Sequence, residues 1–497
     1  MFENISTRYK FYEKNQLLWE SENQYEYYNG NSLILHTMPW HFEICVAQDV
    51  AAKKLEKKYN VKPIAYSLTS GGFTFEEGDK SFLIDSHVLD INKELNRKSN
   101  SWNERIKKIV EETYGDENKI KNISYRNIEC GDGILDQMVV SAPIGEMISK
   151  DGFEIIIRRA FNYIDIGLEL IDMYKPEFLV VDENVRLENV FTNIAARKGI
   201  KTVFAYRGLM SRGLGIVNYR SNKSCGEGIA YINKFVRNNY KECDDCNDDF
   251  VVELWDDNEE FIIEEKNRFK VFILLHNFAD AARTTYKHEY YSDYFDWYED
   301  TLNVISEIDE VDWYVRPHPM SAGNGEEVYV ERKVKEIGKD NIILCKGNVS
   351  RNKIVDNANV ILTYAGEAAL EYWAMGIPTI ILADSYFNEF SVSYKMNTKE
   401  DYYRVLMDIR KIQSPSEESI VIAKKIVNTV KKLRNGDDEL DTLFRKAQKL
   451  EVEGIRNENR EYDIYDFIFI DDYLKLISKD AIKTSVIFSC DDIEVEV

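Results

Sequence analysis

The segment Arg316-Pro317-His318-Pro319 contains residue types suited to binding a phosphate. It directly follows an apolar run, 313–315, that is typical of a strand, and its two prolines fix the backbone where the strand stops. Arginine can bind a phosphate through two parallel hydrogen bonds, and a protonated histidine can donate to a phosphate oxygen. The spacing predicts that Arg316 and His318 bind phosphate at the carboxyl end of a strand. The alternative is a surface turn with a solvated arginine.

A second candidate segment, residues 363–371, follows one predicted strand and opens a predicted helix. Small residues at Ala365 and Gly366 let a ligand approach the backbone, and the free N–H groups of a helix's first turn attract anions. We therefore predict that Thr363, Ala365, Gly366 and Glu367 contact the same ligand. Glu371 lies one helical turn after Glu367, within reach of a ribose hydroxyl. The alternative for both glutamates is compensation of the helix dipole.

A third segment, residues 345–353, contains three cations and no acid, which is unusual in a chain of net charge −23. So acidic a chain needs a local basic pocket if its substrate is an anion. Lys346 and Ser350 are therefore added to the predicted anion-binding group, with a solvated loop as the alternative. His276 and Asp280 follow the first predicted strand of the second half of the chain and complete the group.

In the first half of the chain, Asp182 and Glu183 directly follow the apolar run 178–181. A carboxylate at a strand's carboxyl end can act as a general base, and the alternative is a helix N-cap. Arg207 ends the next predicted strand and would lie at the same edge as these carboxylates, facing a cleft between the two halves of the chain. His41 and Asp132 are weaker candidates for this first-half side of the cleft, which would bind the acceptor substrate.

Strand-like apolar runs alternate with helical patterns in two separate stretches of the chain. This rhythm is typical of parallel sheets covered by helices on both faces. We predict an α/β fold with two doubly wound, Rossmann-like domains facing a cleft. The expected limits are 1–215 for the first domain, 216–266 for a connection, 267–420 for the second domain and 421–497 for a helical C-terminal tail. Ligands of such sheets bind at the carboxyl ends of strands, where the candidate residues lie.

Composition argues against several partners. A net charge of −23 over 497 residues disfavours nucleic acid and anionic lipid. No run approaches the roughly 18 apolar residues that span a bilayer, and the first residues lack an apolar segment. We therefore expect a cytoplasmic protein with no transmembrane segment, and peripheral membrane contact stays open. Cys243 and Cys246 form a close pair with no second pair or nearby histidine, so no metal site is expected. No cofactor is expected either.

The stretch from Val271 to Leu406 resembles bacterial capsule-polysaccharide biosynthesis proteins and related transferases with a His-Pro (HP) motif. The matching pieces are Leu275 to Asp280, Tyr294-Phe295-Asp296-Trp297 before Thr301-Leu302, Trp313 to Pro319, Thr363 to Glu371 and Gly376-Ile377-Pro378-Thr379. The resemblance implies a GT-B fold and a nucleotide-activated sugar donor. It also implies that His318 and the Gly366 turn contact the phosphate of the donor.

These expectations combine into a metal-independent glycosyltransferase of surface polysaccharide biosynthesis. Asp182 or Glu183 would deprotonate a glycan or lipid-linked glycan acceptor, and Arg316, His318 and the Gly366 helix would stabilise the departing phosphate. Related families make a CMP-activated acidic sugar one candidate donor. The alternatives are a CDP-polyol phosphotransferase of the teichoic-acid type, a non-catalytic GT-B-like assembly subunit and a nucleotide-sugar epimerase.

Overall fold

The computed structural model contains two main sheets with helices packed on them. It describes residues 32–37, 59, 61–67, 102–181, 185–204, 215–217, 236–243, 261, 263, 268–280, 290–318, 321, 325–345, 349–434, 487–489 and 494–495. Five of the candidate residues, His41, Asp182, Glu183, Arg207 and Lys346, lie outside these ranges.

The helices and strands divide into two groups along the chain. The first group is β1 Ser32–Thr37, β2 Lys62–Ser67, α1 Asn103–Thr113, α2 Glu117–Lys121, β3 Ser124–Tyr125, β4 Ile128–Glu129, α3 Gly131–Ser141, α4 Lys150–Tyr174, β5 Pro176–Val181, α5 Asn189–Lys198, β6 Lys201–Phe204 and β7 Gly215–Val217. The second group is β8 Phe269–Leu274, α6 Tyr294–Ile305, β9 Val311–Arg316, α7 Glu326–Ile337, β10 Ile342–Leu344, α8 Arg351–Asn357, β11 Val360–Thr363, α9 Glu367–Ala374, β12 Thr379–Ile381, β13 Tyr394–Lys395, α10 Lys399–Met407, α11 Glu417–Arg434, β14 Ile487–Ser489 and β15 Glu494–Val495.

The first sheet has the strand order β15-β14-β7-β6-β5-β1-β2. Its strands β2, β1, β5 and β6 are parallel to their neighbours, so their carboxyl ends lie at one edge. A short 3-10 turn, Arg186–Glu188, follows β5 at this edge and leads into α5. The turn therefore stands where a doubly wound sheet binds its ligand.

Helix α4 supplies much of the core of the first unit. Ser149 caps it by accepting a hydrogen bond from the backbone N–H of Gly152 at 3.1 Å. Phe153, Ile157 and Phe161 recur at helical spacing and are fully buried. The helix ends at Lys175, which has left-handed backbone angles, and β5 begins directly after it.

The second sheet has the order β10-β9-β8-β11-β12-β13, and all of its neighbouring strands are parallel. Numbered along the chain from β8, this is the order 3-2-1-4-5-6 of the doubly wound fold. The direction of winding reverses between β8 and β11, so a crevice is expected beside their carboxyl ends.

The central strands β9, β8, β11 and β12 of the second sheet are largely buried on both faces, as is typical of parallel sheets. In β9, Trp313 and Val315 pack against one layer of helices and Tyr314 against the other. All five residues from Val311 to Val315 are buried, whereas Arg316, the last residue of the strand, is partly exposed. The sequence thus places the charged end of β9 where the helix layers stop.

The two units meet through their carboxyl edges. Arg186, after β5, donates a hydrogen bond from Nη2 to the carbonyl oxygen of Ala279, after β8, at 3.0 Å. A Cβ added at Gly145 would lie 2.1 Å from the ring of Tyr329 on α7, so only glycine fits this second contact. The predicted α/β fold with two Rossmann-like sheets facing each other, of the GT-B type, is confirmed by these sheets and contacts.

The last part of the chain contributes to both units. Helix α11 packs against α9 of the second unit, through Ala423 and Ile426 among others. Strands β14 and β15 lie within the stretch that the sequence predicts as a helical tail, yet β14 pairs with β7 of the first sheet. Among the residues that the structure describes, no helix has the length and apolarity to cross a bilayer.

Candidate functional site

Three strand ends bring the predicted anion-binding residues together. In the register of the second sheet, Leu274 of β8 pairs with Arg316 of β9 on one side and with Thr363 of β11 on the other. His276 and His318 each lie two residues beyond this row, and Gly366 three residues beyond it. The site is therefore built from the loops at the crevice between β8 and β11.

His276 ties the loop after β8 to the loop after β11. Its Nε2 lies 2.8 Å from the carbonyl oxygen and 3.2 Å from the backbone nitrogen of Ala365, and the shorter contact assigns the ring proton to Nε2. The ring stacks on Tyr294, with centroids 4.6 Å apart and planes 2° apart. Burial lowers the pKa of His276 to about 4, so its ring is neutral near pH 7.

His318 has a similar electrostatic environment. Burial lowers its pKa to about 4, and the positive charge of Arg316, with that of His276 once its ring is protonated, acts in the same direction. The sequence suggested that a protonated His318 donates a hydrogen bond to the phosphate. In the free protein the ring is instead neutral near pH 7, because the enclosed site disfavours a second cation beside Arg316. A neutral imidazole still offers one N–H group to a phosphate oxygen.

Gly366 begins helix α9 with backbone angles that suit glycine. Its φ of +108° is in the region that side chains rarely adopt. A Cβ there would lie 3.5 Å from Cε1 of His276, so the histidine ring borders the first turn of α9. Thr363 is fully engaged in the structure: its hydroxyl donates towards the carbonyl oxygens of Leu274, at 3.0 Å, and Ala365, at 3.2 Å.

The two glutamates of α9 both have partners. Nη2 of Arg351, the first residue of α8, lies 2.5 Å from Oε2 of Glu371, and both side chains are mostly buried. Glu367 accepts a hydrogen bond from the hydroxyl of Tyr386 at 3.3 Å. The ion pair places a fixed carboxylate one turn into α9, on the side that faces α8.

The predicted basic pocket is partly neutralised by these contacts. Arg351 is paired with an acid, and Nζ of Lys353 lies 3.5 Å from the carbonyl oxygen of Phe261. Ser350 caps α8 by accepting a hydrogen bond from the backbone N–H of Lys353 at 3.1 Å. Ser350 thus has a local structural role, and Arg316 supplies a positive charge that acts on His318.

Asp280 lies in a loop that is fixed by Glu326, a residue outside the predicted site. Glu326, buried at the start of α7, accepts hydrogen bonds from the backbone N–H groups of Phe278, at 2.9 Å, and Ala279, at 2.8 Å, and from the Ser321 hydroxyl, at 2.8 Å. An acid at a helix start was visible in the sequence, but its partners, 47 and 48 residues earlier, were not.

The first unit contributes a turn and a helix start to the same region. A Cβ at Gly133 would lie 2.3 Å from the carbonyl oxygen of Arg186, so α3 begins directly against the Arg186 turn. Asp132, in the first turn of α3, is therefore next to this turn. Strand β5 ends at Val181, and the predicted roles of the next two residues, Asp182 and Glu183, stay predictions.

Metal ligands do not gather in the described part of the chain, where no group of three or more His, Cys, Asp or Glu side chains could hold an ion. The free cysteines Cys130, Cys243 and Cys345 are buried there.

No protein-family model matches this chain, and no curated protein matches it. Solved structures similar to it include glycosyltransferases and UDP-GlcNAc 2-epimerases. The S. aureus MnaA–UDP co-structure has 12% identity and a TM-score of 0.28, over 85% of this chain and 97% of that one. The Neisseria meningitidis UDP-GlcNAc 2-epimerase bound to UDP-GlcNAc has 11% identity and a TM-score of 0.25, over 80% and 99%. The glycotransferase of kitacinnamycin has 8% identity and a TM-score of 0.29, over 83% and 98%. At these values the function has to be argued from the residues of the site.

Proposed function

We propose that this protein is a glycosyltransferase that uses a nucleotide-sugar donor. The observation that carries the proposal is the meeting of Arg316, His318, His276 and the Gly366 turn at the reversal point of the second sheet. This crevice is where doubly wound sheets bind nucleotides, and its residues offer donors and one permanent cation to an anion.

The phosphates of the donor would lie at the first turn of α9. Its free N–H groups and dipole favour an anion, and Arg316 adds a full positive charge. His318 can donate from its neutral ring. Such fixed donors stabilise the negative charge that develops on the leaving phosphate, which is the main catalytic demand of glycosyl transfer.

The nucleoside would extend from the phosphates towards α8. Glu371 lies one turn further into α9, and its ion pair with Arg351 holds it there. A carboxylate so fixed can accept hydrogen bonds from ribose hydroxyls. The nucleotide would then run across the carboxyl edge from β8 and β11 towards β10.

In the proposed reaction a carboxylate of the protein acts as the general base, and no bound metal takes part. The acceptor hydroxyl loses its proton to a carboxylate, its oxygen attacks the anomeric carbon, and the nucleotide leaves with the bonding electron pair. The resemblance to capsule-polysaccharide proteins supports a glycan or lipid-linked glycan acceptor in surface polysaccharide synthesis, and a CMP-activated acidic sugar as one donor.

The first test is nucleotide binding followed by turnover. Calorimetry of the full chain with UDP, CDP, CMP and GDP in EDTA should show binding of at least one nucleotide. Incubation of the matching nucleotide sugars with glycan acceptors should then give a glycosylated product at a rate that EDTA leaves unchanged. No binding of any nucleotide would refute the proposal, and dependence on Mg²⁺ or Mn²⁺ would refute metal independence.

The products distinguish the alternatives. An epimerised nucleotide sugar without acceptor would indicate an epimerase, and release of CMP from a CDP-polyol would indicate a polyol-phosphate transferase. Binding without any turnover of these substrates would indicate an assembly subunit.

A further inference from the structure

The loop from Leu275 to Asp280 is held by both units of the molecule. Glu326 of the second unit binds two of its backbone N–H groups, and Arg186 of the first unit binds the carbonyl oxygen of Ala279. The backbone N–H of Asp280 donates to the carbonyl oxygen of Asn277 at 3.0 Å, which closes a tight turn. A loop fixed from two sides holds its side chains in defined positions, as a reacting group requires.

The carboxylate of Asp280 takes no part in fixing the loop. Asp280 is exposed, and its carboxylate accepts no hydrogen bond from the other residues that the structure describes. Three other carboxylates of the site differ in this respect. Glu326 accepts three hydrogen bonds, Glu371 is paired with Arg351, and Glu367 accepts from Tyr386. Of these four acids, Asp280 differs in that neither of its oxygens accepts a hydrogen bond from a residue that the structure describes.

Asp280 is accessible to solvent but closely surrounded by protein. This partial enclosure raises its pKa to about 6, and the positive charge of Arg186 opposes the rise. Burial raises the pKa of Glu326 as well, and the negative charge of Asp280 raises it further. An acid with a pKa near 6 is ionised at pH 7 and is a stronger base than an ordinary aspartate.

We infer that Asp280 is the general base that removes the proton from the acceptor hydroxyl. This role rests on the proposed function and differs from the donor binding that its sequence position suggested. The acceptor O–H bond breaks and its proton passes to a carboxylate oxygen of Asp280. The acceptor oxygen bonds to the anomeric carbon, and the bond from that carbon to the phosphate oxygen breaks with its electron pair on the phosphate.

The position of Asp280 suits this role because it lies between the two units. It follows His276 by four residues, on the donor side, and it interacts with Arg186, which follows β5 on the acceptor side. A base must reach the acceptor while the donor is bound, and a residue at the contact of the two units satisfies both demands.

The test compares Asp280→Asn with three matched variants of the full chain. Asp182→Asn and Glu183→Gln change the carboxylates predicted from the sequence, and Asp309→Asn changes an exposed carboxylate before β9, at the opposite edge of the sheet. Nucleotide release from UDP-N-acetylglucosamine and CMP-N-acetylneuraminic acid, with water as the acceptor, gives the rate. Calorimetry with the free nucleotide gives the affinity.

We expect Asp280→Asn to lower the rate about 10²- to 10⁴-fold and to change nucleotide affinity less than about threefold. The acid limb of the kcat/KM profile, near pH 6 in the wild type, should disappear. Asp280→Glu should recover part of the rate, because it restores a carboxylate, whereas a purely structural role would give no such recovery.

Near-normal turnover by Asp280→Asn would overturn the inference, as would a loss of affinity that accounts for the whole fall in rate. A large loss in Asp182→Asn or Glu183→Gln, with Asp280→Asn unaffected, would assign the base to the end of β5. None of these results contradicts the proposed function. The proposed function fails separately, if the wild type binds no nucleotide.

Discussion

At the level of single residues, Arg316 places a permanent cation in the same site as two neutral imidazoles. Arg316 ends a buried strand, and burial, reinforced by the charge of Arg316, lowers the pKa of His318 and keeps its ring neutral. Arg316→Lys keeps the charge and loses the planar pair of donors. We expect this variant to weaken nucleotide binding about tenfold, the size of one charge-assisted hydrogen bond. Calorimetry would show it, and Arg332→Lys on the exposed face of α7 should bind like the wild type.

The pH dependence of stability offers a second check on His318. The folded protein holds this pKa near 4, whereas an unfolded histidine titrates near 6.5. Between these pH values the unfolded chain binds more protons, so the free energy of unfolding falls as the pH falls. Asp280 has the opposite effect on the free energy of unfolding, because its raised pKa makes the folded chain bind more protons over much of the same pH range. We therefore expect His318→Gln to have a flatter stability profile than the wild type below about pH 6.5, measured by urea unfolding. Parallel profiles would contradict the neutral state of His318.

At the level of elements, the sequence predicted where the strands of the site end, but not which strands lie beside each other in the sheet. The run 313–315 marked β9, which extends over Val311–Arg316, and the run 178–181 marked β5, which begins at Pro176. Apolar runs between turn residues reveal such strands locally. The contact of His276 with Ala365 joins residues 89 apart, and it depends on β8 lying beside β11. Pairing between distant strands leaves no local signal in the sequence. The contacts of Arg186 and Glu326 with the loop after β8 are also long-range, so the sequence did not reveal these two residues.

The start of α9 gives a prediction at the same level. Gly366→Ala places a side chain at φ +108°, which costs about 1–3 kcal/mol of stability or displaces the first turn of the helix. Either result moves the N–H groups proposed to bind phosphate, so nucleotide affinity should fall at least tenfold. Gly338→Ala, at φ +65° beyond the end of α7, should lower the melting temperature and leave affinity unchanged. If Gly366→Ala bound the nucleotide as tightly as Gly338→Ala, the Gly366 turn would not be part of the nucleotide site.

At the level of the whole molecule, the described contacts link the carboxyl edges of the two sheets through Arg186 and the loop of Asp280. The positive charge of Arg186 lowers the pKa of Asp280, against the larger effect of enclosure. Replacing it in Arg186→Gln should therefore raise that pKa above about 6 and shift the acid limb of the kcat/KM profile to higher pH. Loss of the hydrogen bond to Ala279 should also loosen the contact between the units and lower the rate at its optimum. Arg237→Gln, which removes an exposed ion pair with Glu389, is the matched control and should leave the profile in place. A rate that falls in Arg186→Gln with no shift of the acid limb would mean that Arg186 acts on the joining of the units alone, and that Asp280 does not set the pH dependence of the reaction.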